Sequence, residues 1–202
     1  MKCPLPSLAG LAGRALVATI TIGFIAFSFA AKDLTPSAGA SDSFRLLSAD
    51  LKDGGALPEA QVLDGFGRHG GNLSPELHWE NAPAGAKSFV VTLYDPDAPT
   101  GSGWWHWVVI DLPEKVRALP RGLGRAGGVL PAGAREMRTD FGRPGYGGAA
   151  PPAGERHRYI FTVHALDVAR LDLPDDASAA MVGFFVHTHS LGRATLTAHY
   201  EP

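Results

Sequence analysis

Two carboxylates, one histidine and three tryptophans fall within 13 consecutive residues, Asp95-Pro96-Asp97-Ala98-Pro99-Thr100-Gly101-Ser102-Gly103-Trp104-Trp105-His106-Trp107. A carboxylate that accepts a hydrogen bond from an imidazole fixes its tautomer and raises its pKa. A pair of this kind suits three chemistries: holding an anion, moving a proton, or, with a second histidine, ligating a metal. The stretch is too polar for core and too rich in aromatics for a plain linker, so it reads as one wall of a binding site.

Strands must position that wall. The run from Phe89 to Tyr94 leads in and Val108 to Leu112 leads out, both apolar on two faces, as in strands buried in the middle of a sandwich. Period two carries the stripe Phe89, Val91, Leu93 on to Asp95, and groups His106 with Val108, Ile110 and Leu112. If the polar ends of these stripes meet at one edge of a sheet, Asp95 and His106 are the natural pair. A second long loop, residues 142–154, ends at another two-faced strand, His157 to Leu166. Phe44 to Ala49 is a short strand candidate, the glycines around His69 form a connection, and residues 113–140 read as loops with at most one short strand. A helix is expected to open at Pro174-Asp175-Asp176-Ala177-Ser178, its acidic residues near the positive end of the dipole. Its face is Met181, Val182, Phe185, Val186 and His189. Gly192 is expected to end it, before a last strand from Ala194 to Tyr200.

The 202 residues suit a single domain with a sizeable core, and 25 glycines with 16 prolines favour many turns and a mainly β fold. A net charge of −2 and a pI of 6.4 argue against a nucleic-acid partner. Residues 1–30 have the form of a signal peptide: Lys2 and Arg14, then an uncharged apolar run from Ala15 to Phe27, then Ser28-Phe29-Ala30 as a cleavage site. The run falls short of the ~20 residues of a spanning helix. A cleaved, exported and periplasmic protein is therefore expected, with an uncleaved inner-membrane anchor as the alternative. Cys3, the only cysteine, precedes the apolar run and would leave with it. Residues 31–43 read as a flexible linker, and residues 44–202 as the domain.

Taken together, several separated motifs resemble the phosphatidylethanolamine-binding protein family, in its bacterial Raf-kinase-inhibitor-like branch of the YbhB/YbcL type. They are Asp-Pro-Asp-Ala-Pro at 95–99, Trp-x-His at 104–106, Gly-Tyr-x-Gly-x-x-Pro-Pro-x-Gly at 145–154, His-Arg-Tyr at 157–159 and Asn-x-Ser-Pro-x-Leu-x-Trp at 72–79. The resemblance spans residues 44–202. It implies an antiparallel β-sandwich with a few peripheral helices and a small anion pocket built from Asp95, His106, His157 and Tyr159, walled by Pro151, Pro152 and Trp104. It also implies a cis peptide before Pro99, where the trans preference is only about 0.5–1 kcal/mol. Animal members carry a C-terminal helix beside the pocket, whereas this sequence stops at Pro202, so the resemblance is not taken to imply lipid-sized selectivity or the kinase-regulating role.

The leading expectation is thus an exported, non-enzymatic binding protein for phosphate or a phosphoryl head group, without a cofactor, regulating a partner enzyme as relatives do and, by analogy, forming a homodimer. The alternatives are a metal-dependent or His/Asp acid–base hydrolase, and a protease or kinase inhibitor acting through its loops. No Gly-x-Ser-x-Gly elbow is present, against a serine hydrolase. The Gly101–Gly103 turn offers a backbone nest for an anion. Asp97 and Arg158 are expected to pair across the two loops. His187 and His189, two apart on a helix, face apart and do not form a chelating pair.

Overall fold

A computed structural model of the protein describes residues 43–123 and 128–202. The expected signal segment, residues 1–30, and the linker up to residue 42 lie outside the described residues. In chain order the strands are β1 (Arg45–Leu47), β2 (Asp64–Gly65), β3 (Arg68–His69), β4 (Leu77–Glu80), β5 (Ser88–Asp95), β6 (Trp104–Pro113), β7 (Ala118–Leu119), β8 (Arg135–Glu136) and β9 (His157–Leu166), then helix α1 (Ala179–His189) and β10 (Ser190–Tyr200).

An antiparallel sheet of five strands, ordered β10-β9-β5-β6-β8, faces a sheet of three, β1-β4-β7. Between them Leu46, Leu77, Trp79 and Leu119 of the small sheet meet Phe89, Val91, Leu93, Phe161 and Val163 of the large one, all buried. The opposite face of the large sheet is also apolar at Val90, Val108 and Ile110, and is covered by Val182 and Val186 of α1 together with Leu171 and Leu173. Both faces of β5 are therefore buried, which explains why its sequence does not alternate with polar residues.

β5 lies between β6 and β9 and runs antiparallel to both. Its C-terminal end therefore lies beside the N-terminal starts of the other two. Asp95, His106 and His157 are far apart in sequence and close in space for this reason.

Two bulges interrupt the β5–β6 ladder. Pairing steps from Leu93–Trp107 to Tyr94–Trp105, leaving His106 without a partner, and from Val91–Val109 to Phe89–Leu112, leaving one residue too many opposite Val90. An extra residue shifts the side-chain parity of everything beyond it. Strict period two, which groups His106 with Val108 and Ile110, therefore fails. Val108 and Ile110 pack on the helix side, whereas Trp107 and Val109 pack between the sheets. The bulge turns His106 to the same side as Tyr159, with ring centroids 5.3 Å apart.

Other differences are local. The helix begins at Ala179, capped by the Ser178 side chain accepting from the Met181 N–H, so Asp175 and Asp176 lie upstream of its first turn. It runs directly into β10 at Ser190, and Gly192 sits at a register shift in that strand instead of ending the helix. Met181 is 45% exposed, so the buried stripe is Ala179, Val182 and Val186. The described residues of 113–140 hold two short strands, β7 and β8, and the glycines around His69 form the β2–β3 hairpin, whose central residues Phe66 (φ 51°) and Gly67 (φ 76°) adopt the left-handed backbone of a tight turn. No cis peptide occurs among the described residues, so the bond before Pro99 is trans, and the Thr100 N–H reaches the Ala98 carbonyl at 2.8 Å.

Candidate functional site

Asp95 ends β5 with its side chain buried. Its Oδ1 accepts from the backbone N–H groups of Asp97 (2.8 Å) and Ala98 (3.1 Å), an Asx turn that shapes the loop. Its Oδ2 lies 2.8 Å from His157 Nδ1 and 4.0 Å from His106 Nε2. The close pair is therefore Asp95–His157, not the Asp95–His106 pair that strand periodicity suggests.

His106 is held instead by the glycine-rich segment, its Nδ1 lying 2.9 Å from the Gly147 carbonyl and 3.1 Å from that of Gly148. A carbonyl only accepts, so Nδ1 carries the proton and Nε2 is the free nitrogen. That segment is fixed from behind. The Gly148 N–H donates to Asn72 Oδ1 at 2.8 Å, the Gly147 N–H to the His106 carbonyl at 3.0 Å, and the Tyr146 hydroxyl to the Gln61 carbonyl at 3.0 Å. A Cβ on Gly148 would stand 2.3 Å from the Gln61 carbonyl oxygen, and one on Gly147 2.2 Å from the Phe141 ring. Only glycine permits this approach.

Tyr159 follows on β9, one step past the Tyr94–Ile160 pair. Its hydroxyl is buried with no hydrogen-bond partner among the described residues, and so is the indole N–H of Trp104. Buried donors are nearly always satisfied, so groups of this kind mark the place of a water or a ligand.

Together these groups line a cavity of about 210 Å³. Asp95, His106, His157 and Tyr159 meet there with Pro151, Pro152 and Trp104. The sequence reading misses its aromatic lip. Phe141 packs edge-on to both Trp104 and His106, with centroids 5.4 Å away in each case, and the 74% exposed Phe66 stacks on Phe141 at 6.0 Å. A bulky residue with positive φ in a two-residue turn is the signal that marks Phe66. Ala98, Pro99 and Thr100 form the rim beside Asp95; the expected nest at 101–103 is not part of the lining.

The two histidines are tuned apart. Burial lowers the pKa of His106 and outweighs its carbonyl contacts and the Asp95 charge, so its neutral form is favoured. Burial also acts to lower His157, but hydrogen bonds to Asp95 and Glu155 and the charges of Asp95 and Asp97 outweigh it, and its pKa is raised. Burial, with Asp95 close by, pushes the Tyr159 hydroxyl well above the ordinary range, so it stays a donor. Outside the cavity, Arg158 grips Asp97 with Nη2–Oδ1 at 2.7 Å and Nε–Oδ2 at 2.9 Å, pairing the two loops as expected and lowering Asp97 to about 2.

Among the described residues, no three His, Cys, Asp or Glu side chains are arranged to hold a metal ion. His189 Nδ1 lies 2.9 Å from Asp167 Oδ1. No helix among the described residues is long and apolar enough to cross a membrane.

The sequence pattern of the phosphatidylethanolamine-binding protein family matches residues 47–201. YbhB of Escherichia coli K12 is 60% identical over 157 residues, which span 78% of this chain and 99% of YbhB. YbcL of the same strain is 42% identical over 190 residues, 93% of this chain and 98% of YbcL. The crystal structure of E. coli YbcL, described as a member of the mammalian PEBP family, superposes with a TM-score of 0.76 at 46% identity, covering 79% of this chain and 98% of that one. A Chlamydia trachomatis structure superposes at 0.68 with 28% identity, covering 80% and 99%.

Proposed function

Because the chain belongs to the phosphatidylethanolamine-binding protein family, we propose that it is an exported binding protein, not an enzyme, and that the cavity at the end of β5, β6 and β9 holds phosphate or a phosphoryl head group. One observation carries this reading: both Asp95 oxygens are engaged by the protein, which leaves His106 Nε2 and the Tyr159 hydroxyl on a small cavity, beside His157, whose outer nitrogen lies 3.3 Å from Glu155 Oε2. The carboxylate acts as an orienter of His157 and does not face the ligand unpaired. A neutral Tyr159 donates to anionic oxygens, and so does a protonated His157 once the ligand displaces the half-exposed Glu155 from its outer nitrogen.

His106 sets the form of the anion. With its proton on Nδ1, a neutral His106 offers only a lone pair at Nε2. It meets an anion favourably when the ligand brings a P–OH, or when a proton is taken up on binding. Affinity therefore falls as pH rises past about 6, the second pKa of a phosphomonoester. The lining contains no serine or cysteine, and the Thr100 hydroxyl donates to the Gly103 carbonyl, so no side chain there is an evident nucleophile.

The test is a titration of isotope-labelled protein with inorganic phosphate and with O-phosphoethanolamine. The ring signals of His106 and His157 shift saturably, and Asp95→Ala weakens binding about tenfold, the cost of disturbing one charge-assisted contact. Absence of any shift at tens of millimolar ligand rejects the pocket. The Asp95–His157 dyad also has the geometry of a general base with its orienter. Turnover of phosphoesters that is lost in His157→Ala would establish that second reading. Inhibition of a partner enzyme that survives His106→Ala but not changes in the 97–103 loop would move the function to the surface.

Export is supported by the relatives. The alignment with YbcL covers more of this chain than residues 44–202 can supply, whereas that with YbhB does not. That alignment therefore takes in residues ahead of the domain, the stretch read here as a leader. Fractionation of cells expressing the full chain places it in the periplasm; retention in the membrane fraction would favour the uncleaved anchor.

A further inference from the structure

The large sheet carries a second cavity on its other face. It is a groove of about 620 Å³ between α1, the start of β10 and the polar part of the sheet, and it shares no lining residue with the Asp95 cavity. Its floor is Thr92, His164 and Arg193, the last two cross-strand partners on β9 and β10. Its walls are Val182, Val186, Leu191 and Trp105.

The groove is chemically one-sided. No aspartate or glutamate lines it; its only charge is Arg193, and His164 and His187 are its only titratable groups. None of these three side chains has a hydrogen bond or ion pair among the described residues. Among the described residues, Arg45, Arg121, Arg135, Arg158 and Arg170 are ion-paired, whereas Arg68, Arg117, Arg138, Arg143 and Arg156, like Arg193, are not; what sets Arg193 apart is its place in a groove with apolar walls. Burial, and then the charge of Arg193, lowers the pKa of His164 to about 4, so it is neutral at neutral pH and serves as a polar contact.

Gly183 lines the groove from the middle of α1, and a Cβ placed there meets nothing within 4 Å. Its φ is not positive. Neither backbone conformation nor crowding therefore requires glycine at this position. A helix-interior glycine costs stability relative to alanine, and what the missing side chain leaves is open groove.

We propose that this groove is a second ligand site, for a small amphipathic anion whose charged head sits on Arg193 and His164 and whose apolar body lies along Val182, Val186 and Leu191 past Gly183. Its volume lies within the ~300–1,000 Å³ of small-molecule sites. The uncompensated Arg193 selects the sign of the head, and the apolar walls select the body. The site is independent of the Asp95 cavity and of the function proposed for it.

The experiment titrates labelled protein with octyl sulfate below its micelle concentration. The expected result is saturable shifts at Gly183, His164 and Arg193, with no change in His157→Ala, which separates this site from the other. Arg193→Gln weakens binding about fivefold, as suits a solvent-accessible charge contact. Gly183→Phe fills the groove and abolishes binding, while Gly183→Ala, which folds at least as well, retains it. Neutral octanol binds more weakly than octyl sulfate to the parent protein and equally to Arg193→Gln. Absence of saturable shifts, undiminished binding in Gly183→Phe, or octanol binding as tightly as octyl sulfate overturns the proposal. If Gly183→Phe fails to fold, as judged by its circular dichroism melt, the Arg193→Gln and octanol comparison decides alone.

Discussion

Asp95 and Asp111 are buried carboxylates near opposite ends of the same β5–β6 hairpin, each beside one of its two bulges. Asp111 adopts a left-handed backbone (φ 58°) and has every contact met: Arg135 Nε at 3.0 Å, the Leu171 N–H at 2.8 Å and Arg170 at 3.7 Å. Arg135 in turn donates to the Leu171 and Leu173 carbonyls and to Asp175. Neither of the two cavities described above is lined by that cluster. Asp95 is equally buried and equally engaged, but the neighbouring Tyr159 hydroxyl and Trp104 indole N–H keep unused hydrogen-bonding capacity on a cavity. Burial of a carboxylate is thus uninformative by itself. What separates a site from a staple is where the partners' remaining donors point.

The sharpest test of that contrast is Asp111→Ala. It removes the buried carboxylate from Arg135, leaves the Leu171 N–H without its acceptor and places alanine at a positive φ. Breaking one side of a buried pair costs about 3–5 kcal/mol. Urea unfolding should show that loss, while phosphate affinity of the folded fraction stays unchanged. A drop in affinity would make Asp111 part of the site.

Next in size is Gly148→Ala. Its Cβ would press on the Gln61 carbonyl and the Leu63 N–H, at 2.3 and 2.5 Å. Overpacking of this kind costs about 1–3 kcal/mol, and the displaced carbonyl releases His106. Stability and phosphate binding should fall together. That outcome distinguishes a site frame from a structural staple, whose loss affects stability alone.

Asp95→Asn should divide the effects the other way, with a modest loss of stability and about tenfold weaker phosphate binding. The carbonyl oxygen of asparagine can still accept from Asp97 and Ala98, so the turn survives, but the charge that raises the pKa of His157 is gone. A group whose folded pKa is raised stabilises the fold below its unfolded value, here 6.5, and loses that contribution as pH rises through the folded value. The stability gap between parent and Asp95→Asn should therefore be widest just below pH 6.5 and narrow at alkaline pH. A gap independent of pH would mean that the charge of His157 plays no part.

The antiparallel sandwich was legible because burial on both faces writes itself into runs such as Ser88–Tyr94 and His157–Leu166. The motif at 95–106 and the one at 157–159 pointed to side chains that do line one cavity. Their pairing was not legible. Period two assumes one residue per step, and the unpaired His106 breaks that assumption without any local signal, since neither glycine nor proline marks the bulge. The support of His106 by Gly147 and Gly148 was hidden for a different reason. It depends on backbone carbonyls, which every residue has, and on an approach to Gln61 and Asn72 more than 70 residues away. The aromatic lip escaped because Phe66 lies in a turn that its glycines made look like a plain connection.

The smallest expected effect concerns a third carboxylate, Asp97, two residues from Asp95. It pairs with Arg158 through two side-chain contacts, but Arg158 is half exposed, with side-chain exposure of 51% against 28% for Asp97. Solvent screens such a pair, so its loss should leave the unfolding midpoint at neutral pH nearly unchanged. The pKa is the more sensitive readout. Arg158 holds Asp97 at about 2, below its ordinary 3.8, so the pair contributes stability above pH 3.8 and loses it as pH falls towards 2. In Arg158→Ala the Asp97 carboxyl should titrate close to 3.8, and the parent's small advantage at neutral pH should vanish by about pH 2. Phosphate binding should be retained, because the Asp95 turn is made by backbone N–H groups that Arg158 does not touch. Loss of binding in Arg158→Ala would instead show that the loop needs its outer clamp to hold Asp95 against His157, and would make the exposed pair part of the site.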